Sequence, residues 1–216
     1  MTNTISTTRA SLVTLHPPSL LQRETRVVGR LPIHIAVVKD AFPEVIHCQY
    51  LCRARPQSLQ CKDEEGNLPL HYAAMHGSPQ VLGSLLETYP HASAVPNTRD
   101  RYPLHLVCAR CYDTEPIPTP LLESLIQAHP SALQNLDRFG RTPMHLAANI
   151  QCPQWQVLEV LISHAPEVLF QKDKARKTPL QCAKRSHQGL KKNDLIVSCL
   201  QEATNQERKR RRPMVV

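Results

Sequence analysis

The chain is punctuated by two interlocked series of prolines, and few folds accommodate such a pattern. Pro-x-His occurs at Pro32-Ile33-His34, Pro69-Leu70-His71, Pro103-Leu104-His105 and Pro143-Met144-His145; Pro179-Leu180-Gln181 is a fifth copy without the His. These prolines lie 37, 34, 40 and 36 residues apart. The second series is Pro56, Pro90, Pro130 and Pro166. Seven residues after each stands Asp63, Asn97, Asp137 or Asp173, and six residues later the next Pro-x-His begins. All length variation therefore falls between a Pro-x-His copy and the next proline of the second series. A repeated tertiary unit with one fixed and one variable segment behaves in this way; a chance motif does not.

Each unit reads as helix, connection, helix, turn. The first helix opens on the Pro-x-His proline, where a missing N–H costs nothing. Thr142 and Thr178 precede it as good caps, whereas Leu31, Leu68 and Tyr102 are poor ones, each expected to cost ~1 kcal/mol. Second helices are expected to start at Pro43, Pro79, Pro120 and Pro153. Their apolar residues recur as Val81, Leu82, Leu85, Leu86, then Leu121, Leu122, Leu125, Ile126, then Val157, Leu158, Leu161, Ile162. Leu195, Ile196, Cys199 and Leu200 repeat the spacing, which is that of a helix burying one stripe. Asp63 to Gly66 and Asp137 to Gly140 suit a type I turn, with Asp first and Gly fourth. Asn97 to Asp100 and Asp173 to Arg176 lack that Gly and should be less regular.

The net charge of +8 sits mostly at the ends: residues 1–30 carry +3 and residues 205–216 carry +4. A nearly neutral body with basic ends argues against nucleic-acid binding across the whole domain. No apolar run approaches a membrane span. Thr14 and His16 interrupt the apolar residues that a secretory signal would need, so the eight cysteines are expected as free thiols in a reducing compartment.

"NLPLHYAAMHG" (67–77) and "GRTPMHLAA" (140–148) carry a resemblance to the ankyrin repeat, in phase with the second proline series. The resemblance covers about residues 30–202. It implies an all-α solenoid of helix–turn–helix units with projecting finger-like turns, about four full repeats plus a C-terminal capping unit. The domain is expected over 30–204, between a flexible or partly helical extension (1–29) and a basic disordered tail (205–216). Residues 17–30 hold Gly29 in repeat phase and read as the remnant of an earlier unit. The family's Gly after the second helix is replaced by Tyr89-Pro90, His129-Pro130 or Ala165-Pro166.

His34, His71, His105 and His145 stand one unit apart, too far to share one metal ion, so no metal site is expected. The resemblance implies instead that each ring hydrogen-bonds backbone within and between units. Cys108 falls on a small core position shared with Ala74 and Ala148, and Cys48, Cys52 and Cys199 on second-helix core positions. Cys111 is left as a candidate reactive thiol, and a redox-responsive adaptor using it is a third-ranked reading. No nucleophile elbow, P-loop or dinucleotide turn is present, and neither an enzyme nor a cofactor is expected.

The resemblance places partner contacts on the fingers and on exposed positions of the first helices. On the fingers these are Glu64 and Glu65; Arg99 and Arg101; Arg138, Phe139 and Arg141; and Lys174, Arg176 and Lys177. On the first helices they are Tyr72, Met75, His76, Leu106, Arg110 and Asn149. The reading is a monomeric, non-catalytic scaffold in cytoplasm or nucleus that binds another protein through an acidic segment. In the alternative, a nuclear factor reaches nucleic acid or import machinery through Arg208, Lys209, Arg210, Arg211 and Arg212. The Ser/Thr-rich start also fits an organelle transit peptide, and "CYDTEPIPTP" (111–120) reads as a stiff protruding loop.

Overall fold

The computed structural model describes residues 33–34, 37, 56–110, 116–149, 155–186 and 194–211. Its elements alternate as the proline phase requires. Helices α1 (Pro69–His76) and α2 (Pro79–Thr88) form one pair, and α3 (Pro103–Cys108) and α4 (Thr119–Ala128) the next. They are followed by α5 (Pro143–Asn149) with α6 (Trp155–His164), and α7 (Pro179–Ser186) with α8 (Asp194–Arg210). Short 3-10 turns open on the second proline series at Pro56–Gln60, Pro90–Ala94, Pro130–Leu133 and Pro166–Phe170. Among the described residues there is no strand. Extension residues 1–29, Cys48, Cys52, Cys111 and Arg212 lie outside these ranges.

The first helices pack on one another in series, α1 on α3, α3 on α5 and α5 on α7, while the second helices form a parallel row. Between the rows runs one apolar core from Ile33 and Val37 to Ile196 and Leu200. Leu82, Leu122, Leu158 and Leu200 are each almost wholly buried, as the shared stripe demands. In the last unit the stripe is incomplete: Leu195 is 70% exposed, because no further described helix covers that flank. Ile117, in the second half of the proline-rich insertion, is buried and anchors the loop to the core, while Pro116, Pro118, Thr119 and Pro120 around it are exposed.

The poor caps are compensated. Leu68 is buried and gains about 2 kcal/mol from leaving water. Tyr102 stacks on His105 and on His129, with ring centroids 5.9 and 5.2 Å apart. In both units the histidine three residues on accepts the cap residue's N–H at Nδ1 (3.1 and 3.3 Å).

All four fingers share one geometry. The residue at the end of each turn donates to the carbonyl of its first residue: Gly66 to Asp63, Asp100 to Asn97, Gly140 to Asp137 and Arg176 to Asp173. That end residue has positive φ in every case: 74° at both glycines, 56° at Asp100 and 59° at Arg176. The expectation that the glycine-free turns would be less regular is therefore corrected. The first residue's side chain accepts backbone N–H groups of its own turn, Asn97 Oδ1 from Arg99 and Arg101, Asp137 Oδ1 from Phe139 and Arg141. These bonds hold the turn whether or not glycine ends it.

The basic end also departs from expectation. Earlier second helices stop at Pro90, Pro130 and Pro166, four residues after the last apolar residue of the stripe, but Thr204 fills that place after Leu200. With no proline to break it, α8 continues to Arg210, so residues 205–210 are helical rather than a disordered tail.

Candidate functional site

The finger row is built as a ladder. The Glu65 carbonyl accepts the Thr98 N–H (3.0 Å), the Arg99 carbonyl the Arg138 N–H (3.0 Å), and the Phe139 carbonyl the Lys174 N–H (3.1 Å). Thr98 Oγ1 adds a bond to Glu65 O (2.7 Å) and Lys174 Nζ one to Arg138 O (2.7 Å). Neighbouring backbones approach so closely that a Cβ on Gly66 or Gly140 would lie 2.9 Å from Thr98 N or Lys174 N. The fingers are thus a rigid comb, and their tips are presented at fixed spacing.

Beneath the comb, the histidines join successive units. Nδ1 of His71, His105 and His145 accepts the N–H of Leu68, Tyr102 and Thr142. Each ring therefore carries its proton on Nε2, which donates across the joint. His71 reaches Arg101 O (3.2 Å), His105 reaches Asn135 O (3.1 Å) and Arg141 O (3.3 Å), and His145 reaches Lys177 O (3.0 Å). His34 lies 3.2 Å from Cys61 O by the same nitrogen. Burial holds His71 and His105 near pKa 4 and lowers His145, because a charged ring would be stranded from water. Among the described residues no group of His, Cys, Asp or Glu is arranged to hold a metal.

The exposed tips carry the charge. Arg99, Arg138, Phe139, Lys174 and Arg176 are all exposed. Phe139 is 48% exposed, with the guanidinium carbons of Arg138 and Arg141 5.4 and 4.7 Å from its ring centroid. Arg141 is also tied inward: its Nε and Nη2 bond Asp137 Oδ2 at 3.0 and 2.8 Å. Arg101 of the preceding finger approaches the same oxygen at 3.5 Å. Burial opposes charge on Asp137, but the bonds and charge of Arg141 prevail and hold its carboxyl below the usual range. Towards the first finger Glu64 is exposed, and Glu65 stands 3.8 Å from Arg99.

Three residues expected on the exposed face are inside the protein. Tyr72 is buried, donating its hydroxyl to Asp63 Oδ2 at 2.6 Å. Leu106 is 1% exposed and belongs to the core. Arg110 is 2% exposed, and its Nη2 donates to Gly77 O (2.9 Å), closing an otherwise orphaned carbonyl at the end of α1. Met75 is partly buried against the core and His76 is exposed. Of the first-helix surface, only these last two of the expected residues with described side chains reach solvent.

At the far end, Arg208, Lys209, Arg210 and Arg211 are exposed around the last turn of α8. Arg211 stacks on Phe170 at 4.8 Å and bonds Glu207 Oε1 at 2.9 Å. Cys108 is fully buried and burial pushes its thiol up, as it does those of Cys182 and Cys199. Among the described residues no helix is long and apolar enough to cross a membrane.

Two family models match the chain, both described as Ankyrin repeat, over residues 65–94 and 139–174. The human (Homo sapiens) B-cell lymphoma 3 protein is 28% identical over 159 residues, covering 70% of this chain and 32% of that protein. The match thus spans about a third of the relative's length.

Proposed function

The chain belongs to the ankyrin-repeat family, whose members typically mediate protein–protein contacts and are usually non-catalytic, and from that premise we propose that it is an interaction scaffold binding an acidic segment of another protein along its finger tips. The observation that carries this reading is Phe139, an exposed aromatic ring with two guanidinium groups over it on a rigid support. Aromatic and arginine side chains dominate interface energetics, and a preformed comb loses little entropy on binding. Arg99, Lys174 and Arg176 extend the cationic row, and Met75 and His76 at the end of α1 are further candidate contacts on the first-helix surface. Tyr72 and Arg110 contribute through the fold rather than by contact.

Arg141 is unsuited to a test of binding, since its reversal sets a like charge beside the buried Asp137 carboxylate and leaves only Arg101, at 3.5 Å, to offset it, a loss of stability of about 3 kcal/mol. Arg138→Glu and Phe139→Ala alter exposed side chains and keep the turn. In a pull-down from cell extract, each should deplete partners retained by the native chain, and retention by the arginine row should fall as salt rises. Identical partner profiles for native and doubly substituted protein would remove the reading.

A second reading rests on the exposed run from Arg208 to Arg211, which supports an import signal or a phosphate contact. Imaging the chain truncated after residue 206 tests it, with loss of nuclear accumulation expected.

A further inference from the structure

A groove of about 480 Å³ opens at the end of the stack, between the Pro166–Phe170 turn, α7 and α8. Its apolar walls are Leu169, Phe170 and Leu180, and the cations Lys172, Lys184 and Arg208 stand around them. It has no acidic lining residue, and none of these three cations pairs with a carboxylate among the described residues. The nearby carboxylates are engaged elsewhere: Asp173 Oδ1 accepts the Lys177 N–H, and Glu207 pairs with Arg210 and Arg211.

The fifth proline motif explains what the groove lacks. Gln181 stands where the other units have histidine, and its Oε1 accepts the Thr178 N–H at 3.0 Å, as the imidazole Nδ1 does in those units. Among the described residues the second half of the joint is missing. Each histidine Nε2 donates to a carbonyl of the following unit, whereas Gln181 Nε2 bonds to no described residue and Gln181 lines the groove. The end of the stack therefore offers an amide donor, an apolar floor and three cations together.

We propose that this groove takes a short acidic segment of a partner protein, laid across the stack end. A backbone carbonyl of the segment accepts from Gln181 Nε2, its carboxylates meet Lys172, Lys184 and Arg208, and an apolar side chain rests on the partly buried Phe170 and Leu180. The volume suits a few residues of an extended chain. Charge complementarity selects an acidic occupant, and the apolar floor distinguishes a peptide from a bare polyanion. The site is separate from the finger tips and stands or falls independently of them.

The test is fluorescence anisotropy on the full chain with a labelled peptide of alternating aspartate and leucine. Its asparagine-for-aspartate twin and a single-stranded DNA oligonucleotide of equal charge serve as comparisons. The aspartate peptide should bind and the twin should not. Lys184→Glu with Arg208→Glu should weaken binding about tenfold, and Gln181→Leu about threefold, in variants whose thermal melts match the native chain. The loss caused by Lys184→Glu with Arg208→Glu should be equally large in an Arg138→Glu background, where the finger row no longer offers its cation. Failure of the peptide to bind, tighter binding of the oligonucleotide, or an affinity that depends on Arg138 but not on Lys184 and Arg208 would each overturn the proposal.

Discussion

At the scale of single residues, the histidines act by being neutral. With His71 and His105 near pKa 4 against an ordinary 6.5, the unfolded chain takes up protons between those values while the folded chain does not. Their stabilisation is complete above pH 6.5 and lost as pH falls towards 4. At pH 5 each ring should have cost about 2 kcal/mol, readable as a fall in urea midpoint between pH 7 and pH 5. His105→Gln, copying Gln181, should flatten that dependence. Arg176 offers a second test. It holds φ 59° without glycine, whereas a Cβ at Gly140 would meet the next finger. Arg176→Gly should raise stability by about 1 kcal/mol and Gly140→Ala should lower it, both measurable by denaturant melts. The repeated histidines were legible because a periodic polar residue inside an apolar pattern needs a periodic partner. The burial of Arg110 was not, since its acceptor, Gly77 O, lies 33 residues away in sequence.

At the scale of elements, the prolines decide where helices begin and end. The helix pairs and their stripes could be read from the chain because Pro at the first turn and Pro after the stripe bracket each helix. The same rule gives the long α8, through the absence of proline at 204, although a run of basic residues reads more readily as a solvated tail. Thr204 is buried and bonds Leu200 O at 2.6 Å, as a mid-helix threonine does. Thr204→Pro should end the helix there: amides 205–210 should exchange rapidly with deuterium, and stability should drop by about 3 kcal/mol. The turns lacking glycine were misjudged because glycine was taken as the cause of the geometry, whereas the Asp or Asn side chain bonding within the turn is common to all four fingers.

At the scale of the whole molecule, the array was legible in outline but its working face was not. Repeat spacing reports which residues are equivalent, and equivalence carried Tyr72, Leu106 and Arg110 onto an exposed face that their local contacts deny them. The exposure of Arg138 and Phe139 was legible because the finger position is fixed by turn chemistry rather than by packing. The insertions between first and second helices leave the backbone ladder among the fingers untouched. One margin of the protein can therefore drift in length and composition while the other keeps its gauge, so a partner calibrated to the tooth spacing would not register a lengthened loop behind it.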